Sequence, residues 1–197
     1  MLETELQTLL AEGRHREAAT GAIDTYGPEI VGFLGALLGN ASDADDAFAQ
    51  ACEDLWKGLP QFEGRSSMRT WMYTVARHAA LRLARSPYRR ANRHVGESQL
   101  DDAVARVRTA TAPHLRTDVK SAFAAIRDAL EPEDRALLVL RVDREMDWKD
   151  ISMVLFPDEA ARSAGDLTRL TARLRKRFQK VKEEVRTRAK EAGLLDA

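Results

Sequence analysis

Ser42-Asp-Ala-Asp-Asp-Ala-Phe-Ala-Gln-Ala-Cys-Glu-Asp-Leu-Trp-Lys-Gly58 is the stretch on which the reading of this chain turns. Ala44, Ala47, Phe48, Ala51, Cys52, Leu55 and Trp56 recur at alternating steps of three and four, which is one apolar stripe of a helix from Ser42 to about Gly58. Ser42 with Asp45 predicts a capping box at its start, and Pro60 closes the segment. Asp43, Asp45, Asp46, Gln50, Glu53 and Asp54 take the remaining surface, so this helix has one buried face and one acidic face.

Outward from it, Ser66 to about Arg85 predicts a second long helix of opposite charge. Met68, Trp71, Met72, Val75, Ala76, Ala79 and Leu83 form its apolar face, and Arg69, Tyr73 and Arg77 sit four apart on another. Trp71, Tyr73 and Tyr88 interleave with arginines, a pairing that suits unstacked single-stranded bases. Trp71 is expected in the core and Tyr73 at the surface. Upstream, Leu2–Leu10, Arg14–Tyr26 and Pro28–Leu38 predict two or three shorter amphipathic helices, so the first part is a helical bundle ending near Arg93.

From Arg85 to about Thr117 the period fails at Ser86-Pro87, Gly96-Glu97-Ser98 and Thr109–Pro113, which predicts a linker with at most a short helix around Leu100–Val107. A second bundle follows. Phe123, Ile126 and Leu130 mark one helix, and Pro132 opens the next from a first helical position. Asp147 with Asp150 predicts a capped short helix carrying Trp148, Ile151 and Leu155, ended by Phe156-Pro157. After a ten-residue connection, Gly165-Asp166 opens a long helix with Leu167, Leu170, Leu174, Phe178, Val181 and Val185 inward. The expected fold class is all-α: two helical domains, 1–93 and 118–197, joined by a flexible linker over 94–117.

The charges are segregated although they cancel, with 31 Lys+Arg against 31 Asp+Glu in 197 residues. Met1–Gly64 has net charge −9, Arg65–Arg93 carries eight arginines and no acid, and Asp166–Lys190 has net charge +7. Two basic blocks, each beside an acidic one, predict two separate polyanion contacts. A single cysteine, Cys52, excludes an intramolecular disulfide, and the four histidines show no metal-ligand spacing. No apolar run is long enough to span a membrane and no secretory leader is visible, so the expected compartment is the cytoplasm. There is no Gly-rich phosphate loop, GxSxG or HExxH; no enzyme, metal, cofactor or small-molecule substrate is expected. A short helix, a connection and a basic helix outline a helix-turn-helix, whose second helix enters the major groove with Arg169, Arg173, Lys176, Arg177 and Lys180 projecting.

Three pieces in the first half resemble region 2 of the extracytoplasmic-function (ECF) bacterial sigma factors. They are Asp43-Ala-Asp-Asp46 through Leu55-Trp56, Leu59-Pro-Gln-Phe62, and Ser66-Ser-Met-Arg-Thr-Trp-Met-Tyr-Thr-Val-Ala-Arg77. Leu130-Glu-Pro-Glu-Asp-Arg135, Leu137-Leu-Val-Leu-Arg141, Trp148-Lys-Asp-Ile151 and Arg173-Leu-Arg-Lys-Arg-Phe178 resemble region 4 more loosely. The chain departs from the family pattern at Ala49-Gln50, where Gln-Glu is usual, at His78, where Asn is common, and over Phe156–Gly165, where relatives have a tight turn.

The resemblance implies a dissociable promoter-specificity subunit of bacterial RNA polymerase. Asp43, Asp45, Asp46, Gln50, Asp54 and Trp56 would dock on the clamp helices of the polymerase β′ subunit. Phe62, Ser66, Met68, Arg69, Tyr73, Arg77, His78 and Arg82 would take the promoter's −10 element, capturing a flipped base. Arg169, Ala172, Arg173, Lys176 and Arg177 would read the −35 element, with region 4 also touching the β flap. Core polymerase, promoter DNA and an anti-sigma factor are the implied partners. The competing reading is a stand-alone helix-turn-helix regulator, which leaves the acidic helix and the aromatic–arginine helix unexplained.

Overall fold

The apolar periods become helices in both parts of the chain that the structure, a computed structural model, describes: residues 1–85 and 124–195. Among these residues there is no strand, and the fold is all-α. The chain divides into two compact units, Met1–Ala112 and Pro113–Ala197. The linker expected over 94–117, the helix expected around Leu100–Val107, Tyr88 and Phe123 lie outside the described residues.

In the first unit, α1 (Glu3–Ala11), α2 (His15–Leu38), α3 (Ala41–Gly58) and α4 (Met68–Arg85) form a bundle, with a 3-10 turn over Leu59–Gln61. Small residues let the helices approach closely: Ala18, Ala22, Ala47, Ala51, Ala76 and Ala79 are buried between Ile23, Phe33, Leu34, Phe48, Leu55 and Met72. The stripe on α3 is buried as its spacing dictates, from Ala44 to Leu55, while Trp56 is half-buried. Its cap differs from the expected one. Asn40, not Ser42, is the capping residue, accepting from the Asp43 backbone N–H through Oδ1 at 2.7 Å. The break expected before Pro28 is absent, and α2 runs unbroken through it. The Pro28 ring faces solvent, while Gly27, Ile30, Val31, Phe33 and Leu34 are buried along the same helix. That burial outweighs the lost backbone hydrogen bond, whose cost is about 3 kcal/mol.

In the second unit, Pro132 opens α5 (Pro132–Leu138) as expected, and a π-helical turn over Val139–Asp143 extends it. Next come α6 (Trp148–Leu155), a four-residue helix α7 (Pro157–Ala160) and the 28-residue α8 (Ala164–Glu191). Leu137, Leu140, Ile151, Val154, Leu170 and Leu174 make the core, and Trp148 meets Phe178 edge-on at 5.5 Å between ring centroids. Asp147 precedes α6 but makes no side-chain capping bond, contrary to expectation. The ten-residue connection Phe156–Gly165 contains α7, and α8 starts at Ala164, ahead of the Gly165-Asp166 opening expected. Ser163 sets that start: its hydroxyl oxygen accepts from the Asp166 N–H at 3.1 Å, and its hydroxyl donates to Asp166 Oδ2 at 2.6 Å. With the Arg169 guanidinium, this hydroxyl holds the Asp166 carboxyl below its usual range.

Candidate nucleic-acid interface

Helix α4 shows which of its faces is available. Two residues expected at a surface are in the interior, Tyr73 fully buried and Arg77 8% exposed, and Met68 is buried as its place in the apolar stripe dictates. The Tyr73 ring lies edge-on to Phe33 of α2 at 5.2 Å between centroids, with the Arg69 guanidinium 5.5 Å from its own centroid. Arg69 in turn forms a two-pronged ion pair with Glu29 of α2, through Nε and Nη2 at 2.8 Å each. That carboxylate raises the pKa of Arg69 further. The four-residue spacing of Arg69, Tyr73 and Arg77 does define one face, but Arg69 and Tyr73 are turned toward α2 and Arg77 is buried. Tyr73 and Arg77, expected at the surface, are therefore not presented to DNA, and neither is Met68, which the apolar stripe keeps in the core.

Trp71 is the reverse case. Expected in the core, it is half-exposed and packs against Phe62 at 4.9 Å between centroids and 38° between planes. Gly58, at the end of α3, is what lets it lie there: a Cβ at that position would sit 3.1 Å from Trp71 Cζ2. Phe62 follows directly on the 3-10 turn, so the Leu59-Pro-Gln-Phe62 sequence serves to place an aromatic ring beside Trp71. Ser66 is half-exposed nearby in sequence, and His78 and Arg82 are exposed farther along α4. The exposed aromatic side of this unit is therefore Phe62–Trp71, a pair that the sequence reading divided wrongly.

The start of α4 is held from two directions. Ser67 Oγ accepts from the Thr70 N–H at 3.0 Å. Glu3 of α1 reaches across to accept from the Met68 N–H through Oε1 at 2.6 Å, and its Oε2 accepts from the Tyr26 hydroxyl at 2.8 Å. Burial first, then this carboxylate, push the Tyr26 phenol up to about 12. Glu3 and Glu29 carried no sequence signal of such roles, because each partner is far along the chain.

On α3, the outward face holds Asp43, Asp45, Asp46, Gln50, Glu53 and Asp54, all half-exposed. Gln50 donates to Asp54 Oδ1 at 2.8 Å, and Lys57 pairs with Glu53 at 3.2 Å. Asp54 also pairs with Arg82 of α4, so the acidic face of α3 meets α4 at this exposed arginine. Trp56 has the Arg16 guanidinium 5.8 Å from its ring centroid.

On α8, Leu170, Leu174, Phe178 and Val181 are buried while Arg169, Ala172, Arg173 and Lys176 are exposed on one side. Arg177 is different. Its Nε donates to Asp134 Oδ1 at 2.5 Å and its Nη1 to Glu133 Oε2 at 2.6 Å, both on α5. The expected row of five is therefore four exposed residues and one half-buried arginine that ties α8 to α5. Arg173 pairs with Glu159 of α7, a contact with no counterpart in the sequence reading.

Cys52 lies inside the bundle, and burial pushes its thiol far above the usual range. Among the described residues, no group of His, Cys, Asp and Glu side chains is placed to hold a metal ion, and no helix is long and apolar enough to cross a membrane.

Residues 22–94 match the family model described as Sigma-70 region 2. The chain is 25% identical over 89% of its length to the ECF RNA polymerase sigma factor SigG of Mycobacterium tuberculosis, covering 53% of that protein. It is 24% identical over 88% of its length to the RNA polymerase sigma factor YlaC of Bacillus subtilis, covering 99% of it. Similarity to the ECF RNA polymerase sigma factor SigX of Bacillus subtilis runs to 26% identity over 60% of this chain and 62% of that one. The chain thus spans about half the length of the SigG relative and nearly all of YlaC.

Proposed function

We infer that this chain, which carries a sigma-70 region 2 and belongs with the ECF sigma factors, binds core RNA polymerase and directs transcription initiation at its promoters. The observation that carries the reading is the position of the acidic face of α3 and the Phe62–Trp71 pair within the matched residues 22–94. Asp43, Asp45, Asp46, Gln50, Asp54 and Trp56 form the face that docks on the clamp helices of the polymerase β′ subunit. Phe62, Trp71, Ser66, His78 and Arg82 take the −10 element, the two rings offering a stacking surface to an unpaired base. On α8, Arg169, Ala172, Arg173 and Lys176 face the −35 major groove, and the second unit also meets the β flap. The molecule acts in the cytoplasm under an anti-sigma factor, and nucleotide addition is the work of the core enzyme. The stand-alone regulator is not favoured, because the region 2 match falls in the half that it leaves unexplained.

Docking is the step to test first. Asp45→Lys with Asp46→Lys reverses two charges on a half-exposed face, which opposes association with a basic partner surface without touching the core. The double variant is expected to keep its helical circular dichroism and to lose co-purification with core polymerase. Co-purification at the wild-type level would overturn the assignment of this face.

A further inference from the structure

Three side chains meet where the connection between α6 and α8 passes the exposed face of α8. Arg173 donates from Nη1 to Glu159 Oε1 at 3.0 Å and from Nη2 to Glu159 Oε2 at 2.7 Å. The ring of Phe156 lies beneath the same guanidinium, its centroid 5.4 Å from Cζ. Both holding residues come from the segment in which this sequence departs from the pattern of tight turns. Arg173 nevertheless remains largely at the surface, with 56% of its side chain exposed, beside exposed Arg169, Ala172 and Lys176.

The geometry leaves a defined part of the arginine available. A guanidinium has five N–H groups arranged as a rigid planar fork. Glu159 occupies the end of that fork, between Nη1 and Nη2. The side edge, made by Nε–H and the second hydrogen of Nη2, carries no contact among the described residues. Two parallel donors on one edge match the O6 and N7 acceptors of guanine in the major groove, the commonest base-specific contact of arginine. A guanidinium fixed by a ring below and a carboxylate at its end loses little freedom on meeting that base. A mobile one meets phosphate oxygens of any sequence equally well.

We propose that Glu159 is a specificity-determining residue of the −35 contact: with Phe156 it fixes Arg173 so that the free Nε–Nη2 edge reads a single guanine. The carboxylate also offsets the positive charge of Arg173 toward the phosphate backbone, so it lowers binding to unrelated sequence. This proposal rests on the reading of α8 as the helix that enters duplex DNA. Glu159 is a positioning residue, since it acts through Arg173.

The test is selection from a randomised duplex library on the full chain, with and without core polymerase, for wild type, Glu159→Gln, Phe156→Leu and Arg173→Ala in parallel. Wild type is expected to enrich guanine at one position, and Arg173→Ala to abolish that enrichment. Glu159→Gln should reduce it by about fivefold, the low end of what one bidentate base contact discriminates. Phe156→Leu should act in the same direction by less. Binding of Glu159→Gln to unrelated duplex should tighten, with a log–log salt slope steeper by up to about 0.9, the value for one more neutralised phosphate. A merely structural role would leave both the guanine preference and the salt slope unmoved. Guanine enrichment lost in Arg173→Ala but unchanged or sharper in Glu159→Gln overturns this proposal alone. A selected sequence unchanged by Arg173→Ala overturns the duplex reading of α8 together with it.

Discussion

Among the described residues, α4 and α8 are the two basic helices, and they spend their cations in opposite ways. Helix α4 is packed against α1, α2 and α3, and the arginines in its first half and middle are turned inward: Arg69 grips Glu29, and Arg77 is nearly buried. Helix α8 buries one stripe, and its cations at Arg169, Arg173 and Lys176 stand in solvent. Equal charge therefore gives unequal surface. A basic helix that buries most of its surface becomes a structural member with a functional edge, whereas one that buries a single stripe keeps a face to offer to a polyanion.

The largest expected effect breaks the comparison on the α4 side. Tyr73→Ala removes a fully buried ring in contact with Phe33, and should lower the stability of the first unit by about 3–5 kcal/mol in chemical denaturation. A change below about 1 kcal/mol would mean that this face of α4 is open after all. A matched pair of carboxylate deletions comes next. Glu29→Ala and Glu159→Ala each remove a two-pronged partner of arginine, but Arg69 is 31% exposed and Arg173 56%. The first should cost about 1–3 kcal/mol, as for hydrogen bonds to a charged group that loses its partner away from water. The second should cost less than about 0.5 kcal/mol, as for an exposed ion pair. Equal costs would erase the distinction between the two helices.

An effect smaller than that of Glu29→Ala sharpens the α8 side. Ser163→Ala should cost about 1 kcal/mol, the worth of a helix cap, and fray the first turn of α8. The same turn has a pH signature. The folded-state pKa of Asp166 is held low by Ser163 and Arg169, so its contribution is full above the ordinary carboxylate range and is lost as pH falls through the folded value. Titration of the Asp166 carboxyl by NMR should show a depressed value in wild type and a more ordinary one in Ser163→Ala.

The acidic helix was legible because its signal is local: seven apolar residues in strict register, with carboxylates elsewhere, admit one orientation. Helix α4 was legible as a helix but not in its rotation. Its aromatics and arginines are amphipathic, and what turned Tyr73 inward and Trp71 outward lies far off in sequence, at Phe33, Glu29 and Gly58. The caps are a different kind of omission. Asn40-Ala-Ser-Asp43 and Ser163-Ala-Gly-Asp166 both carry a capping residue three before an acid, yet in each case the start was set too late. Pro28 misled in the opposite direction, since a helix-breaking residue is tolerated where burial on either side is dense. The Glu159–Arg173 pair was beyond a sequence reading, because it depends on α7 forming within a segment that has no apolar period.

The buried thiol of Cys52 makes the protein its own clock. It is the single sulfhydryl of the chain, sits in the middle of α3, and is kept protonated by its surroundings. A small alkylating reagent can react with it only while the first unit is open. The rate of labelling, followed by mass spectrometry without any introduced probe, therefore counts the transient openings of that unit. A tightly docked partner on the outer face of α3 would slow the clock, and the slowing would report the strength of the grip.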